Sequence, residues 1–451
     1  MSHRLTRRRF FRDSALAGFS IYVVRGGFGA ERSPNEKLNI ACIGAGGKGE
    51  GEVNDSAGEN LVAMCDVDDN RAGKIYKKYP DVKKYKDFRK MLDEMGKQID
   101  AVTVSTPDHI HAPAAILAMS MGKHAFVQKP MTRTIWETRQ LAEAARKYKV
   151  ATQMGNQGTS NAGLRRAVEV IQGGVIGKVA RLHVWTNRPI WPQGFDRPAG
   201  EDPVPEGLDW NLWLGPAPKR PYLNEHKSDP NKGTKVYLPF TWRGWYDFGT
   251  GAFGDMACHT LNMPYWGLKL CHPTAIQGKV SKLMPETYPS GSIVEYYIPE
   301  REGLPPVQFT WYDGNMKPNA AQLKLPEGEK VSGSGALVVG DKGMLYSDGD
   351  YGEKWHLLPK ELDEAAKKVD QTIPRSPGHF REWVLACKGG KPAMSNFPDY
   401  SGLLNEIVVL GTIAQRVPDK RLEWNGKDLK FTNSPEATQL VKPEIPKGWW
   451  I

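Results

Sequence analysis

The sequence predicts an α/β fold: an N-terminal doubly wound parallel sheet, followed by an α+β domain built on an open, largely antiparallel sheet. Three observations predict it. Residues 38–154 alternate short apolar runs with helical patterns, as parallel strands joined by crossover helices require. A glycine-rich turn, Gly44-Ala45-Gly46-Gly47-Lys48-Gly49, falls where the first apolar run passes into a helical pattern. Beyond Gly155 the runs alternate apolar and polar residues, the mark of half-buried antiparallel strands.

Bulk properties bound the reading. A chain of 451 residues, 40% hydrophobic and 25% charged, has the composition of an ordinary globular protein and the length for two domains. The net charge of +10 is concentrated at the start: residues 1–30 hold six arginines and one acid, and the remainder carries +5. No later basic run is dense enough for a nucleic-acid surface. Five cysteines without C-x-x-C spacing give neither a disulfide framework nor a structural zinc site, and no metal is expected. Cys42 and Cys65 fall in core strands, where a free thiol packs as a small apolar group.

Residues 1–30 read as an export signal. Thr6-Arg7-Arg8-Arg9-Phe10-Phe11-Arg12 resembles the twin-arginine pattern, and the apolar stretch 15–24 that follows is too short to span a bilayer. Gly29-Ala30 is a candidate cleavage point, although Phe28 is bulkier than the usual small residue and Arg25 interrupts the region; a disordered basic N-terminus is the alternative reading. This predicts a periplasmic or secreted protein that engages the twin-arginine export machinery and keeps no stable membrane anchor. Residues 33–37 form a linker.

The first domain, residues 31–155, opens with a strand over 38–43 that runs into the glycine turn. A second strand, 61–65, ends in Asp66, 22 residues beyond Gly44. Helices over 69–79 and 87–95 lead to a strand over 99–105, which ends in Thr106-Pro107-Asp108-His109-Ile110-His111. Pro107 stops that strand, and a helix over 113–121 follows. A strand over 124–127 ends in Gln128-Lys129-Pro130. A long helix, 134–148, and a last strand, 150–154, follow; apolar runs mark five strands, and a doubly wound sheet of six is expected. Gly44, Asp66, Thr106 and Lys129 all stand at C-terminal strand ends, where such sheets bind their ligands. A G-x-G-x-x-G turn between strand and helix, with an acid at this spacing, is the dinucleotide-binding signature. Asp66 selects NAD over NADP, because a carboxylate accepts the ribose hydroxyls and repels a 2′-phosphate. Lys48 and Arg71 are nearby bases that either blunt this preference or are simply solvated, and the solvated role is the one expected.

The second domain, residues 156–451, has strand patterns at 178–185, 275–280, 292–298, 307–311 and 335–339. Helical patterns at 378–388 and 399–416 close the chain. A long insertion, 189–239, is rich in Pro, Trp and Gly; Trp191, Trp210 and Trp213 predict that it is ordered. In the segment Trp242 to His259 a glycine-rich turn enters a helix, which puts Asp255 and His259 on one face. Oxidation of an alcohol needs a base for the hydroxyl proton and a group to stabilise the alkoxide, roles that suit histidine and lysine. On spacing alone, Asp255 and His259 fit a surface pair as well as a catalytic one. Asn156 and Gln157 follow the last strand of the first domain and border either ligand or a plain junction. Trp185, Arg188, Trp242, Arg243, Trp245 and Tyr246 are candidates to line a polyol pocket. His109 and His111 read as site-edge or helix-start residues.

These motifs resemble the Gfo/Idh/MocA oxidoreductases over nearly the whole chain after the signal. The glycine turn, the segment Thr106 to His111, Gln128-Lys129-Pro130 and the Asp255/His259 pair each look like a motif of that family. The resemblance implies a Rossmann domain followed by an open-faced α+β domain. It implies cofactor contacts from Gly44, Gly46, Gly47, Gly49, Asp66, Thr106, Pro107, His111 and Lys129. It implies that Lys129 and His259 share proton transfer and alkoxide stabilisation, with Asp255 beside them. Gln128 departs from the family's Glu-Lys-Pro, which leaves the division of labour between Lys129 and His259 open. The function expected is NAD-dependent hydride transfer at a hydroxyl or keto carbon of a sugar, glycoside or cyclitol. The alternatives are redox-neutral cleavage of a glycoside by oxidation and elimination, and a non-catalytic protein that binds NAD or sugar. The exposed sheet face of the family adds a homo-oligomer as an expectation.

Overall fold

The structure is a computed structural model that describes residues 36–227, 230–442 and 444–450. The expected export signal, 1–30, lies outside the described residues. No helix among the described residues is long and apolar enough to cross a membrane.

The first sheet is parallel and six-stranded. Its elements run β1 (Asn39–Ile43), α1 (Gly49–Ser56), β2 (Asn60–Cys65), α2 (Asp69–Lys78), β3 (Lys83–Tyr85), α3 (Phe88–Met95), β4 (Ala101–Val104), α4 (Asp108–Ser120), β5 (His124–Val127), α5 (Ile135–Tyr148) and β6 (Thr152–Met154). The spatial order β3-β2-β1-β4-β5-β6 reverses direction between β1 and β4, which opens a crevice at their C-terminal ends. Strands β1 and β4 are apolar and almost wholly buried because helices cover both faces. Helix starts follow capping chemistry: Asp68 accepts the Asn70 and Arg71 N–H groups, and Thr134 with Glu137 forms a reciprocal capping box.

Two elements differ from the sequence reading. Strand β3 is the polar Lys-Lys-Tyr at the sheet edge, so no apolar run marks it. Helix α4 begins at Asp108 rather than at residue 113, and Pro113 lies inside it. All but two of its residues are buried, and packing on every side holds the helix across the missing N–H.

The second sheet has nine strands among the described residues. They are β7 (Val179–Trp185), β8 (Ala275–Val280), β9 (Gly291–Ile298), β10 (Val307–Gly314), β11 (Gly335–Gly340), β12 (Met344–Asp348), β13 (Lys354–Leu358), β14 (Arg421–Asn425) and β15 (Lys430–Phe431), in the order β13-β12-β11-β7-β10-β9-β8-β14-β15. Of these, only β7 and β10 pair in parallel. The strands that the sequence pattern did not mark, β12 to β15, complete the two edges, where shorter and more polar strands suffice.

Helices α6 (Ala162–Gln172), α7 (Trp210–Leu214), α8 (Gly251–Thr260), α9 (Asn262–Gly267), α10 (His379–Cys387) and α11 (Gly402–Arg416) link and cover the sheets. Phe253 of α8 stacks on Trp311 of β10, with ring centroids 4.5 Å apart. Helix α10 returns to the first sheet, where Trp383 and Val384 pack with Ile40 and Phe126. Helix α11 touches both domains. The Tyr296 hydroxyl donates to the Ile407 carbonyl, while Asn405 bonds Met131, Thr132 and Thr138 in the first domain. The insertion has a core of its own, with Trp210, Trp213, Tyr222, Tyr237, Trp245 and Phe248 packed together. From that core, residues 206–209 cross the end of β2. The Asp209 N–H donates to the Val67 carbonyl and the Asp69 N–H to the Gly207 carbonyl. The Asn70 amide reaches the Glu206 carbonyl at 2.6 Å, and the Lys86 ammonium reaches the Gly207 carbonyl at 2.7 Å.

Candidate active site

The strand ends of the first sheet, α8 and the insertion enclose a cavity of about 500 Å³. One end is the dinucleotide turn. Gly44 sits at φ 81°, and a side chain on it would press within 2.7 Å of the Ser105 backbone. A Cβ on Gly49 would meet the Gly44 carbonyl at 1.7 Å, so the helix start can lie this close to β1 only with glycine there. Asp66 faces the same end. Its carboxylate accepts the Gly46 N–H at 2.8 Å and the Asp68 N–H at 3.0 Å. Burial raises the Asp66 carboxyl, and these two backbone donors oppose the rise. Val67, Lys86, Phe88 and Trp449 continue the wall, beneath the crossing segment 206–209.

The other end holds the charged cluster. The Lys129 ammonium lies 2.9 Å from Asp255 Oδ1 and 2.9 Å from the Asp255 carbonyl. The Arg243 Nε donates to the same Oδ1 at 3.1 Å. Burial alone would raise Asp255, but the Lys129 and Arg243 cations outweigh it and hold the carboxyl well below the usual range. His259, one turn on, is 4% exposed, with Nδ1 buried and without a hydrogen-bond partner. Burial first, and then the Lys129 ammonium, push its imidazole well below its ordinary value, so the ring is neutral at pH 7. The Tyr351 ring stands edge-on against it at 4.7 Å.

Lys129, Asp255 and His259 therefore share one cleft with Gly44, Gly46, Gly47, Asp66, Thr106, Pro107, Arg188, Trp242 and Arg243. Other candidates lie elsewhere. Gly49 sits beneath the turn and outside the lining. His111 is buried behind it, with ring nitrogens 2.8 Å from the Pro130 and Thr106 carbonyls, of which the neutral ring donates to one. Asn156 is buried and accepts from the Ser395 hydroxyl; its neighbour Gln157 is the residue that reaches the cavity. Trp185 stacks on Tyr346 in a separate core under the second sheet. Trp245 belongs to the insertion core, and the Tyr246 hydroxyl donates to the Met284 carbonyl away from the cleft. His109 packs between Trp213 and Phe248. His109 stands in the first turn of α4, as expected of a helix-start residue; Trp185, Trp245 and Tyr246 depart from the expected pocket lining because large side chains next to a site motif alternate between the cleft and the core behind it.

The structure adds residues that the sequence did not single out. Asp108, at the first position of α4, lines the cleft and accepts the Thr250 hydroxyl at 2.8 Å. Its place directly after Pro107 was the available signal. Glu52 of α1 accepts the Gln128 amide at 2.7 Å and ion-pairs with Lys48. The Gln128 carbonyl oxygen in turn faces the Lys129 N–H at 3.3 Å. The carboxylate missing at position 128 is thus present on a neighbouring helix. Asp350 and Tyr351, in the β12–β13 turn, have no local pattern that would have found them. Among the described residues no group of three or more His, Cys, Asp or Glu side chains is placed to hold a metal.

Comparisons with known proteins match parts of both domains. Residues 38–156 match the NAD-binding Rossmann fold of the Gfo/Idh/MocA oxidoreductase family, and residues 178–271 match its C-terminal alpha/beta domain. A levoglucosan dehydrogenase of Pseudarthrobacter phenanthrenivorans is 24% identical over 178 residues, 39% of this chain and 34% of that protein. A scyllo-inositol 2-dehydrogenase (NAD(+)) of Bacillus subtilis is 29% identical over 172 residues, 37% of this chain and 47% of that protein. The chain thus spans between about a third and a half of the length of these curated relatives. The crystal structure of the WlbA dehydrogenase from Bordetella pertussis, solved with NADH and UDP-GlcNAcA, superposes with a TM-score of 0.58 at 14% identity. That match covers 86% of this chain and 99% of the other, and at such identity the likeness is one of fold.

Proposed function

We propose, on the premise that the chain carries both domains of the Gfo/Idh/MocA oxidoreductase family, that it is an NAD-dependent oxidoreductase acting on a hydroxyl or keto carbon of a sugar, glycoside or cyclitol. One observation carries this reading: the Lys129, Arg243, Asp255 and His259 cluster and the Gly44 to Gly47 turn face each other across a single cleft. The glycine cradle and the Asp66 carboxylate fit a dinucleotide, whose nicotinamide supplies the hydride acceptor or donor when bound.

The chain's own groups handle the proton and the charge. Asp255 holds the Lys129 ammonium in place, so a cation meets the oxygen on which negative charge develops. The neutral His259 imidazole offers a lone pair to the substrate hydroxyl. An alkoxide that forms against Lys129 offsets the same ammonium that disfavours imidazolium, so His259 gains basicity as the proton arrives. The twin-arginine pattern from Thr6 to Arg12 supports export of the folded chain to the periplasm or beyond.

The test is turnover of purified protein on a panel of sugars, glycosides and cyclitols, with Lys129→Met and His259→Asn compared. Each variant is expected to lose about 10²- to 10⁴-fold in kcat while its bound nicotinamide content, read by mass spectrometry, stays the same. Wild-type turnover in the double variant would overturn the assignment. Aglycone release without NADH accumulation would place the chain among redox-neutral glycoside-cleaving proteins. A wild type that binds cofactor and sugar but turns over nothing would be a sensor.

A further inference from the structure

The mouth of the cleft is more apolar than a site for a free polyol requires. Among the described residues six large hydrophobic side chains are exposed, and three of them, Ile190, Phe240 and Tyr351, line this one cavity. Their exposures are 69%, 40% and 44%. They come from three separate places, the two ends of the insertion and the β12–β13 turn, so chain proximity does not explain the grouping. Isolated exposed apolar residues are ordinary; three that converge on a binding mouth mark a contact surface.

The surface is positioned by its neighbours. Tyr351 leans on His259, which places the rim at the reacting end rather than over Asp66. The Phe240 ring is held from two sides, with the Arg243 guanidinium 4.1 Å from its centroid and Trp191 edge-on at 5.5 Å. The Arg188–Asp350 ion pair, at 3.0 Å, runs beside it and offers polar partners to hydroxyl groups. An apolar platform bordered by a carboxylate and a guanidinium matches a pyranose ring, which presents a C–H face and a hydroxyl edge. The rim belongs to the same cavity of about 500 Å³ as the charged cluster, so it faces whatever the reacting ring carries.

We propose that Ile190, Phe240 and Tyr351 form a subsite for a second ring, so that the substrate is a glycoside or an oligosaccharide rather than a single-ring sugar or cyclitol. The proposal rests on the oxidoreductase reading of the same cleft and narrows its substrate class.

The experiment compares a methyl glycoside with the disaccharide and the aryl glycoside of the same sugar, on protein carrying its cofactor. The two-ring substrates are expected to have KM values about tenfold lower. Ile190→Ser, a change at an exposed position, is expected to raise the two-ring KM severalfold and the methyl glycoside KM by clearly less. Phe240→Ala should weaken two-ring binding further. Equal KM values for one and two rings, or equal losses on both in Ile190→Ser, would overturn the subsite. If no sugar is turned over, the oxidoreductase reading is the one that fails. Quenching of tryptophan fluorescence by the same three compounds then decides the subsite: tighter binding of two rings supports it, and equal or no binding overturns it.

Discussion

Replacing Asp108 with asparagine isolates the cost of a carboxyl buried in the cleft wall. Asp108 is 4% exposed and pushed up to about 7, first by burial; the Thr250 hydroxyl and the Arg243 cation oppose the rise, Asp255 adds to it and Lys129 opposes it. In the unfolded chain an aspartate ionises near pH 4, roughly three pH units lower. Below pH 4 both states hold the proton and the group is neutral in its effect. Between pH 4 and pH 7 the unfolded chain loses a proton that the folded chain keeps, so stability falls as pH rises. Above pH 7 both are ionised and the penalty levels off at about 4 kcal/mol. In Asp108→Asn the side-chain amide would retain an acceptor for Thr250 and have no proton to lose. Urea unfolding at pH 4 and pH 8 should therefore show the wild type losing about 4 kcal/mol relative to Asp108→Asn. Asp313, pushed up to about 6 by burial despite bonds from Trp311 and Ser292, titrates in both proteins and cancels. Parallel stability curves for the two chains across that range would refute the reasoning.

Gln128→Glu would put an acid before Lys129 but set a second carboxylate against Glu52, where the amide now donates at 2.7 Å. The change should cost about 3 kcal/mol, and Glu52→Gln in the same chain should recover most of it, as a double-mutant cycle by urea unfolding would show. At the adenosine end, Asn70→Ala with Lys86→Ala removes both side-chain bonds to the crossing segment. Cofactor retention after rapid gel filtration should shorten about tenfold. Unchanged retention would mean that the main-chain bonds of residues 207 and 209 suffice.

The first sheet was legible because each part of it is written locally. Apolar runs of strand length, a glycine turn and Asp66 at its spacing reflect constraints acting within some thirty residues of chain. Lys129 and Asp66 could be placed from topology alone, since both stand at C-terminal strand ends. Where the reading failed, the deciding contact was long-range. Trp185 carries the same residue chemistry as Trp242, and Tyr246 is as able to meet a sugar; only the register of the second sheet and the path of the loop turn them toward the core. Glu52 and Gln128 are far apart in sequence yet form one bonded pair, and no local pattern reports that. Tyr351 meets His259 across about ninety residues of intervening chain.

Helix α11 has a consequence for how the cleft works. It is bolted to the second domain through Tyr296 and to the first through Asn405 and the Arg139–Glu406 ion pair, so both lobes share one spine. Relative movement of the two lobes would have to break these bonds or bend the helix they share. Selection among ligands then falls to a preformed mould, and whatever adjustment accompanies entry belongs to side chains at the doorway rather than to swinging lobes.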